Sequence, residues 1–210
     1  MHHEYRFYSH LLPNAMQIGL YFGSFNPIHV GHLIIANHLA EHTPLEQVWL
    51  VVSPHNPHKA KHTLARDRDR LNMVQIAIEG SDNLRASDIE FRLPKPSYTI
   101  DTLVYLEEQY PQHQFSIIIG GDNLATLDKW KNFELLLERY TIYVYPRTNS
   151  LDSPFAKHPH IHLLPDVPMM DISASFIRNA LQTRKSIRFL VPEPVREYIE
   201  QAGLYVVSKK

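Results

Sequence analysis

The stretch Gly23-Ser-Phe-Asn-Pro-Ile-His-Val-Gly-His32 carries two imidazoles, His29 and His32, three residues apart. An apolar run precedes it directly and a helical pattern follows it directly, so it reads as a strand–turn–helix junction. One helical turn brings residues three apart onto one face, and both rings can then meet the same object. A helix start adds unpaired N–H groups and partial positive charge, which makes the junction a ready anion site. Paired imidazoles there suit a phosphate that gains negative charge as it reacts. Gly23 lets the chain leave the strand tightly, and Gly31 permits close approach of backbone to a ligand. The plain alternative is a junction with two surface histidines. A zinc site is a weaker rival, because only two ligands are supplied and no third lies nearby in sequence. Neither G-x-G-x-x-G nor G-x-x-x-x-G-K-[ST] occurs among the seven glycines, which tells against a dinucleotide dehydrogenase and a P-loop NTPase.

Other residues with usable chemistry are scattered. Lys59 lies among His55, His58, Lys61 and His62, a local positive patch that reads as an anion clamp or as a solvated loop. Asp122 follows the apolar run 115–119, at the carboxyl end of a strand or as the cap of the next helix. Trp130 offers a flat face for stacking a ring, or a core side chain. Ser97 and Tyr98 look like a helix-entry turn. His158, His160 and His162 alternate and would share one face of a strand, but they follow a proline-rich loop, so a metal role is set aside. Arg66-Asp-Arg-Asp-Arg70 reads as a solvated ladder of salt bridges.

The elements that must hold these residues alternate in type. Strands are expected at 17–22, 47–52, 115–119 and 140–145, in runs too continuous for a half-exposed sheet. Helices are expected at 32–42, 66–78, 100–109, 130–139, 173–182 and 194–202, with the prolines of 54–57, 94–96 and 153–168 in connecting loops. Alternation of this kind predicts an α/β fold, a Rossmann-like doubly wound parallel sheet with a small helical C-terminal lobe. The 210 residues fit one domain over 17–205 (lobe about 173–205), preceded by an extension of unknown role over 1–16. A 44% apolar share supplies a sizeable core, and a net charge of -1 confines any nucleic-acid surface to a local patch. Absence of cysteine excludes disulfides, thiol nucleophiles and thiolate metal sites. No apolar run approaches the roughly 18 residues of a membrane span. The expectation is a cytoplasmic protein with neither nucleic acid nor membrane as partner, and with room for a homo-oligomer.

Gly23–His32 resembles the first signature of the nucleotidyltransferase superfamily, the H-x-G-H loop, here His29-Val-Gly-His32. Ile172-Ser-Ala-Ser-Phe-Ile-Arg178 resembles the second, I-S-S-T-x-I-R. Two matches some 140 residues apart in the right order are far more specific than either alone. The intervening chain is similar to one branch, the bacterial nicotinate-nucleotide adenylyltransferases. The similar segments are Ser53-Pro-His-Asn-Pro-His-Lys59, Pro96-Ser-Tyr-Thr-Ile-Asp-Thr-Leu103, Ile119-Gly-Gly-Asp-Asn123 with Lys129-Trp130, and Val191-Pro-Glu-Pro-Val-Arg-Glu-Tyr-Ile199. Asn26 stands where an acid is common, and Ala174 replaces a serine of the second signature.

The resemblance implies a reaction: nicotinate mononucleotide and ATP give nicotinate adenine dinucleotide and pyrophosphate, a step of NAD biosynthesis. Mg²⁺ would escort ATP, with no metal ligands dedicated to it. His29, His32 and Arg178 would be catalytic. They would bind ATP together with Gly23, Ser24, Phe25, Gly120, Asp122, Ile172, Ser173 and Ser175. Lys59, Ser97, Tyr98, Thr99, Asp122 and Trp130 would bind the acceptor nucleotide, with Trp130 stacked on the pyridine. Backbone N–H groups of Tyr98 and Thr99 would meet the nicotinate carboxylate and reject the amide. Ser173 also reads as a helix N-cap whatever else it does. The alternatives are another small-molecule nucleotidyltransferase, such as a phosphopantetheine adenylyltransferase, and a non-catalytic nucleotide-binding protein.

Overall fold

Successive residues of a buried strand point to opposite faces, and the first strand shows why this sheet is covered on both. In β1 (Gln17–Gly23), Ile18 and Leu20 join one apolar cluster while Tyr21 joins another. The computed structural model describes residues 15–54, 64–147 and 153–206; Lys59, its neighbouring basic residues and nearly all of the N-terminal extension lie outside them.

Five further strands follow: β2 (Gln47–Val52), β3 (Leu84–Ser87), β4 (Gln114–Gly120), β5 (Ile142–Tyr145) and β6 (Ile161–Leu163). All pair in parallel, in the order β3-β2-β1-β4-β5-β6. The helices are α1 (Val30–His42), α2 (Asp67–Ala77), α3 (Thr99–Gln109), α4 (Gly121–Leu124), α5 (Phe133–Arg139), α6 (Ala174–Gln182) and α7 (Glu193–Gln201). Ile35, Ala36 and Leu39 of α1 pack on Tyr21, Leu50 and Ile118, beside Met73 of α2, Ile177 of α6 and Val195 of α7. Leu103 and Leu106 of α3 and Leu136 of α5 cover Ile18, Leu20 and Ile117 on the other face. The chain therefore leaves β1 and β4, which are neighbours, toward opposite faces. A crevice opens at their carboxyl ends, the switch point where such sheets take ligands.

The expected α/β sheet is present, with four differences. β3 and β6 were not foreseen. They lie at or near the sheet edges, and their sequences, LRAS and IHL, have too few apolar residues to announce a strand; pairing with β2 and β5 makes them. The helix expected at 130–139 begins only at Phe133, because Asn132 adopts a left-handed backbone (φ 54). The helix expected at 32–42 begins at Val30, which puts His29 at its N-cap. The alternating histidines do not share a face: His158 and His160 precede β6, while the ring of His162 lies against Tyr143. Among the described residues, no group of three or more His, Asp or Glu could hold a metal ion, and no helix is long and apolar enough to cross a membrane.

Candidate active site

The loop after β1 is built to hold two imidazoles. His29 adopts an extended backbone at the N-cap, and His32 is the third residue of α1. Their rings stack with centroids 3.6 Å apart and planes 25° from parallel. The His32 Nδ1 accepts the backbone N–H of His29 at 3.3 Å, so the proton of a neutral ring belongs on Nε2. Edges of Phe25 and Tyr21 meet the same ring. His29 is 4% exposed, and its Nδ1 has no hydrogen-bond partner among the described residues. Burial, and after it the positive charge of Arg147, push its pKa down to about 4, so it is neutral near pH 7.

Two expectations about this loop change. A Cβ on Gly31 would lie 3.2 Å from the His29 Nδ1, so the glycine makes room for an imidazole rather than for a ligand. The helix start is also less open than a bare terminus. Val30 donates its N–H to the Leu190 carbonyl at 3.0 Å, and His32 donates to the His29 carbonyl at 3.0 Å.

The second signature meets the first through Arg178. Its Nη1 donates to the Asn26 carbonyl at 2.8 Å and its Nη2 to the Ser175 Oγ at 3.1 Å. The two partners Arg178 and Asn26 are 152 residues apart in the chain. Ser173 caps α6, its Oγ accepting the Phe176 N–H at 3.1 Å. Asn26 is held from two further directions: its Oδ1 accepts the Ala65 N–H at 3.1 Å and the Tyr205 hydroxyl at 2.8 Å. Gly23, Ser24, Phe25, His29, His32, Ser173, Ser175 and Arg178 all line one cavity of about 800 Å³, large enough for two nucleotides side by side. Ile172 does not line it; it packs against the α1 side of the core.

The opposite wall comes from β4 and β5. Gly120 ends β4 where a Cβ would lie 2.5 Å from the Asp122 Oδ1, so only glycine lets the strand turn into α4 beside that carboxylate. Asp122 lines the cavity and accepts the Arg147 Nη1 at 3.3 Å. Half-buried Trp130 faces the same space. Ser97, Tyr98 and Thr99 do not line it. Tyr98 is the N-cap of α3 and is 43% exposed, with the Lys131 ammonium 4.8 Å above its ring.

Two residues escaped the sequence reading. Arg147, on the cavity wall, stands just past the apolar run at 140–145; a cation at the carboxyl end of an expected strand was the available signal. Arg70, read as part of a solvated ladder, is wholly buried. Its guanidinium donates to the carbonyls of Ser24, Ser53 and Ala65 and to the Asp67 carboxylate, tying the loop after β1 to the end of β2. Nothing in the local pattern separates it from Arg66 and Arg68, which are exposed.

Residues 20–180 match the model of the cytidylyltransferase-like family. Curated relatives carry the name "Probable nicotinate-nucleotide adenylyltransferase". One from Flavobacterium johnsoniae is 54% identical over 194 residues, covering 90% of this chain and 99% of the relative. Another, from Cytophaga hutchinsonii, is 54% identical over 190 residues, covering 90% and 98%. The fold is similar to that of Plasmodium falciparum nicotinic acid mononucleotide adenylyltransferase complexed with NaAD, with a TM-score of 0.76 at 21% identity over 90% of this chain and 97% of that one. With paired imidazoles, a forked arginine and relatives alike along nearly their whole length, the chain belongs to the cytidylyltransferase-like family and, within it, to the nicotinate-nucleotide adenylyltransferases.

Proposed function

We propose that this protein transfers the adenylyl group of ATP to nicotinate mononucleotide, releasing pyrophosphate. The observation that carries this reading is the hydrogen bond from Arg178 to the Asn26 carbonyl, which gathers both signatures around one cavity. The acceptor's 5′-phosphate oxygen is already anionic. It attacks the α-phosphorus in line, the α–β bridging oxygen leaves with pyrophosphate, and no general base or covalent intermediate is needed. The work left to the protein is alignment and stabilisation of growing negative charge. The His32 Nε2–H and the Arg178 guanidinium supply donors for phosphate oxygens, with Ser173, Ser175 and the loop at Gly23–Phe25. His29, neutral and stacked on His32, holds that ring in place and adds a donor without adding charge.

Across the cavity, Asp122 and Gly120 face the nucleotide sugars, Trp130 stacks on the pyridine, and Arg147 offers positive charge to the acceptor's phosphate. Ser97, Tyr98 and Thr99 receive the pyridine carboxylate. Lys59, outside the described residues, is proposed as a further anion contact. Mg²⁺ enters with ATP as part of the MgATP substrate, coordinated by phosphate oxygens and water. We place the reaction in the cytoplasm.

A pyrophosphate-release assay with ATP and each of three acceptors tests the assignment. Nicotinate mononucleotide is expected to be the best acceptor. Release with phosphopantetheine alone would move the chain to another branch, and release with none would leave a nucleotide-binding protein.

A further inference from the structure

Two buried ionisable groups, Arg70 and Glu90, flank one residue of the cavity wall. Ser53, just past β2, lines the cavity; Arg70 donates to its carbonyl, and its hydroxyl lies beside the Glu90 carboxyl. Glu90 is 4% exposed, in the 3-10 turn Ile89–Phe91 that follows β3. Its Oε1 accepts the hydroxyl of Thr102, which is fully buried in α3, at 3.1 Å, and the Ser97 hydroxyl lies beside the same carboxyl. Among the described residues Glu90 forms no ion pair, and its hydrogen-bonded partner is the Thr102 hydroxyl. Burial raises its pKa and the three hydroxyls oppose that rise.

A carboxylate so deep is costly unless every lone pair is used, and an apolar side chain of the same size would fill the space at less cost. What the carboxylate adds is a junction. Ser53 belongs to the end of β2, Ser97 to the turn before α3, and Thr102 to the first turns of α3. The Thr102 hydroxyl also lies 3.3 Å from the Tyr98 carbonyl, so Glu90 reaches the N-cap of α3 through one intermediate atom. Only one proton is available on that hydroxyl, and Glu90 and Tyr98 share it.

We infer that Glu90 is the positioning residue of the acceptor turn: through Thr102 it fixes the N–H groups of Tyr98 and Thr99 that receive the pyridine carboxylate. This rests on the acceptor reading above. Glu90 touches no substrate; it sets affinity for the acid and preference for acid over amide. Donors pre-aimed to within about 0.5 Å make such discrimination, and a displacement of about 1 Å loses it.

Steady-state kinetics of wild type, Glu90→Ala, Glu90→Gln and Thr102→Val test the inference, each with nicotinate and nicotinamide mononucleotide. Glu90→Ala is expected to raise KM for nicotinate mononucleotide roughly tenfold and to lower the acid-over-amide ratio similarly, while kcat and the KM for ATP stay within about twofold. Glu90→Gln keeps an oxygen for Thr102 and an amide that serine hydroxyls can accept, and is expected to restore most of the loss. Thr102→Val is expected to move the same two quantities in the same direction, and it carries the test if Glu90→Ala does not fold. Equal rises in both KM values, or an unchanged acid-over-amide ratio in variants that fold, would overturn the positioning role. Failure of the wild type itself to use nicotinate mononucleotide would instead remove the function on which the inference rests.

Discussion

The two walls of the cavity are assembled differently. The wall assigned to ATP takes its key side chains from two short contiguous stretches: His29 and His32 within one helical turn, and Ser173, Ser175 and Arg178 within about a turn and a half. The wall assigned to the acceptor takes one residue from each of several connections: Asp122 from the start of α4, Trp130 from the approach to α5, Arg147 from the exit of β5. The turn proposed to read the acid is tied through Thr102 to a glutamate from yet another connection. A triphosphate is the same object in every nucleotidyl transfer, and a compact, locally fixed set of donors serves it. An acceptor is a larger and more particular shape, and separate loops on a rigid sheet can be moved one at a time to fit it.

The largest expected effect breaks the ATP wall. His32→Ala should lower kcat about 10²-fold with the fold intact, since one preorganised donor to a developing charge is typically worth that much. An unchanged turnover number in rapid-quench assays would remove His32 from the chemistry. Arg178→Lys should lower kcat/KM for ATP by roughly tenfold or more, because an ammonium cannot hold the Asn26 carbonyl and present a fork to phosphate together. The acceptor KM should barely move. Arg147→Ala is the reciprocal case: KM for the mononucleotide should rise about tenfold with the KM for ATP steady, as loss of one charge-assisted contact predicts. A rise in both would mean that the two walls are not separable.

Smaller effects sharpen the comparison. His29 has a folded-state pKa of about 4 against an ordinary 6.5, so between those values the unfolded chain binds more protons than the folded one. Stability from this group is complete above pH 6.5 and is lost as the pH falls toward 4. Thermal melts at pH 7 and pH 4.5 should therefore show a smaller drop in Tm for His29→Asn than for wild type. Equal drops would mean that burial does not hold His29 neutral. Tyr205→Phe removes one hydroxyl from Asn26 and should cost about 1 kcal/mol in urea unfolding, with a kcat within about twofold of wild type.

How much of this could be read in the sequence follows the same division. Runs such as 47–52 and 115–119 are buried on both faces, so continuous hydrophobicity announced them. The edge strands β3 and β6 owe their extended form to neighbours, and four or three mixed residues could not declare it. His29, His32, Ser173 and Arg178 stand in contiguous stretches whose spacing carries meaning. Arg70 and Glu90 sit among charges that look solvated, and only contacts with residues distant in the chain, Ser24 and Ser53 for one and Thr102 for the other, accompany their burial.

Residue order alone determined the alternation of elements, the helix-start imidazoles and the N-cap serine, because each depends on groups within a turn or two of one another. Tertiary structure decided that Arg178 meets Asn26, that Arg70 grips Ser53 and Glu90 grips Thr102, and that Arg147 faces Asp122. Those contacts depend on which strands pair in the sheet, and parallel pairing joins segments whose separation in the chain leaves no local trace.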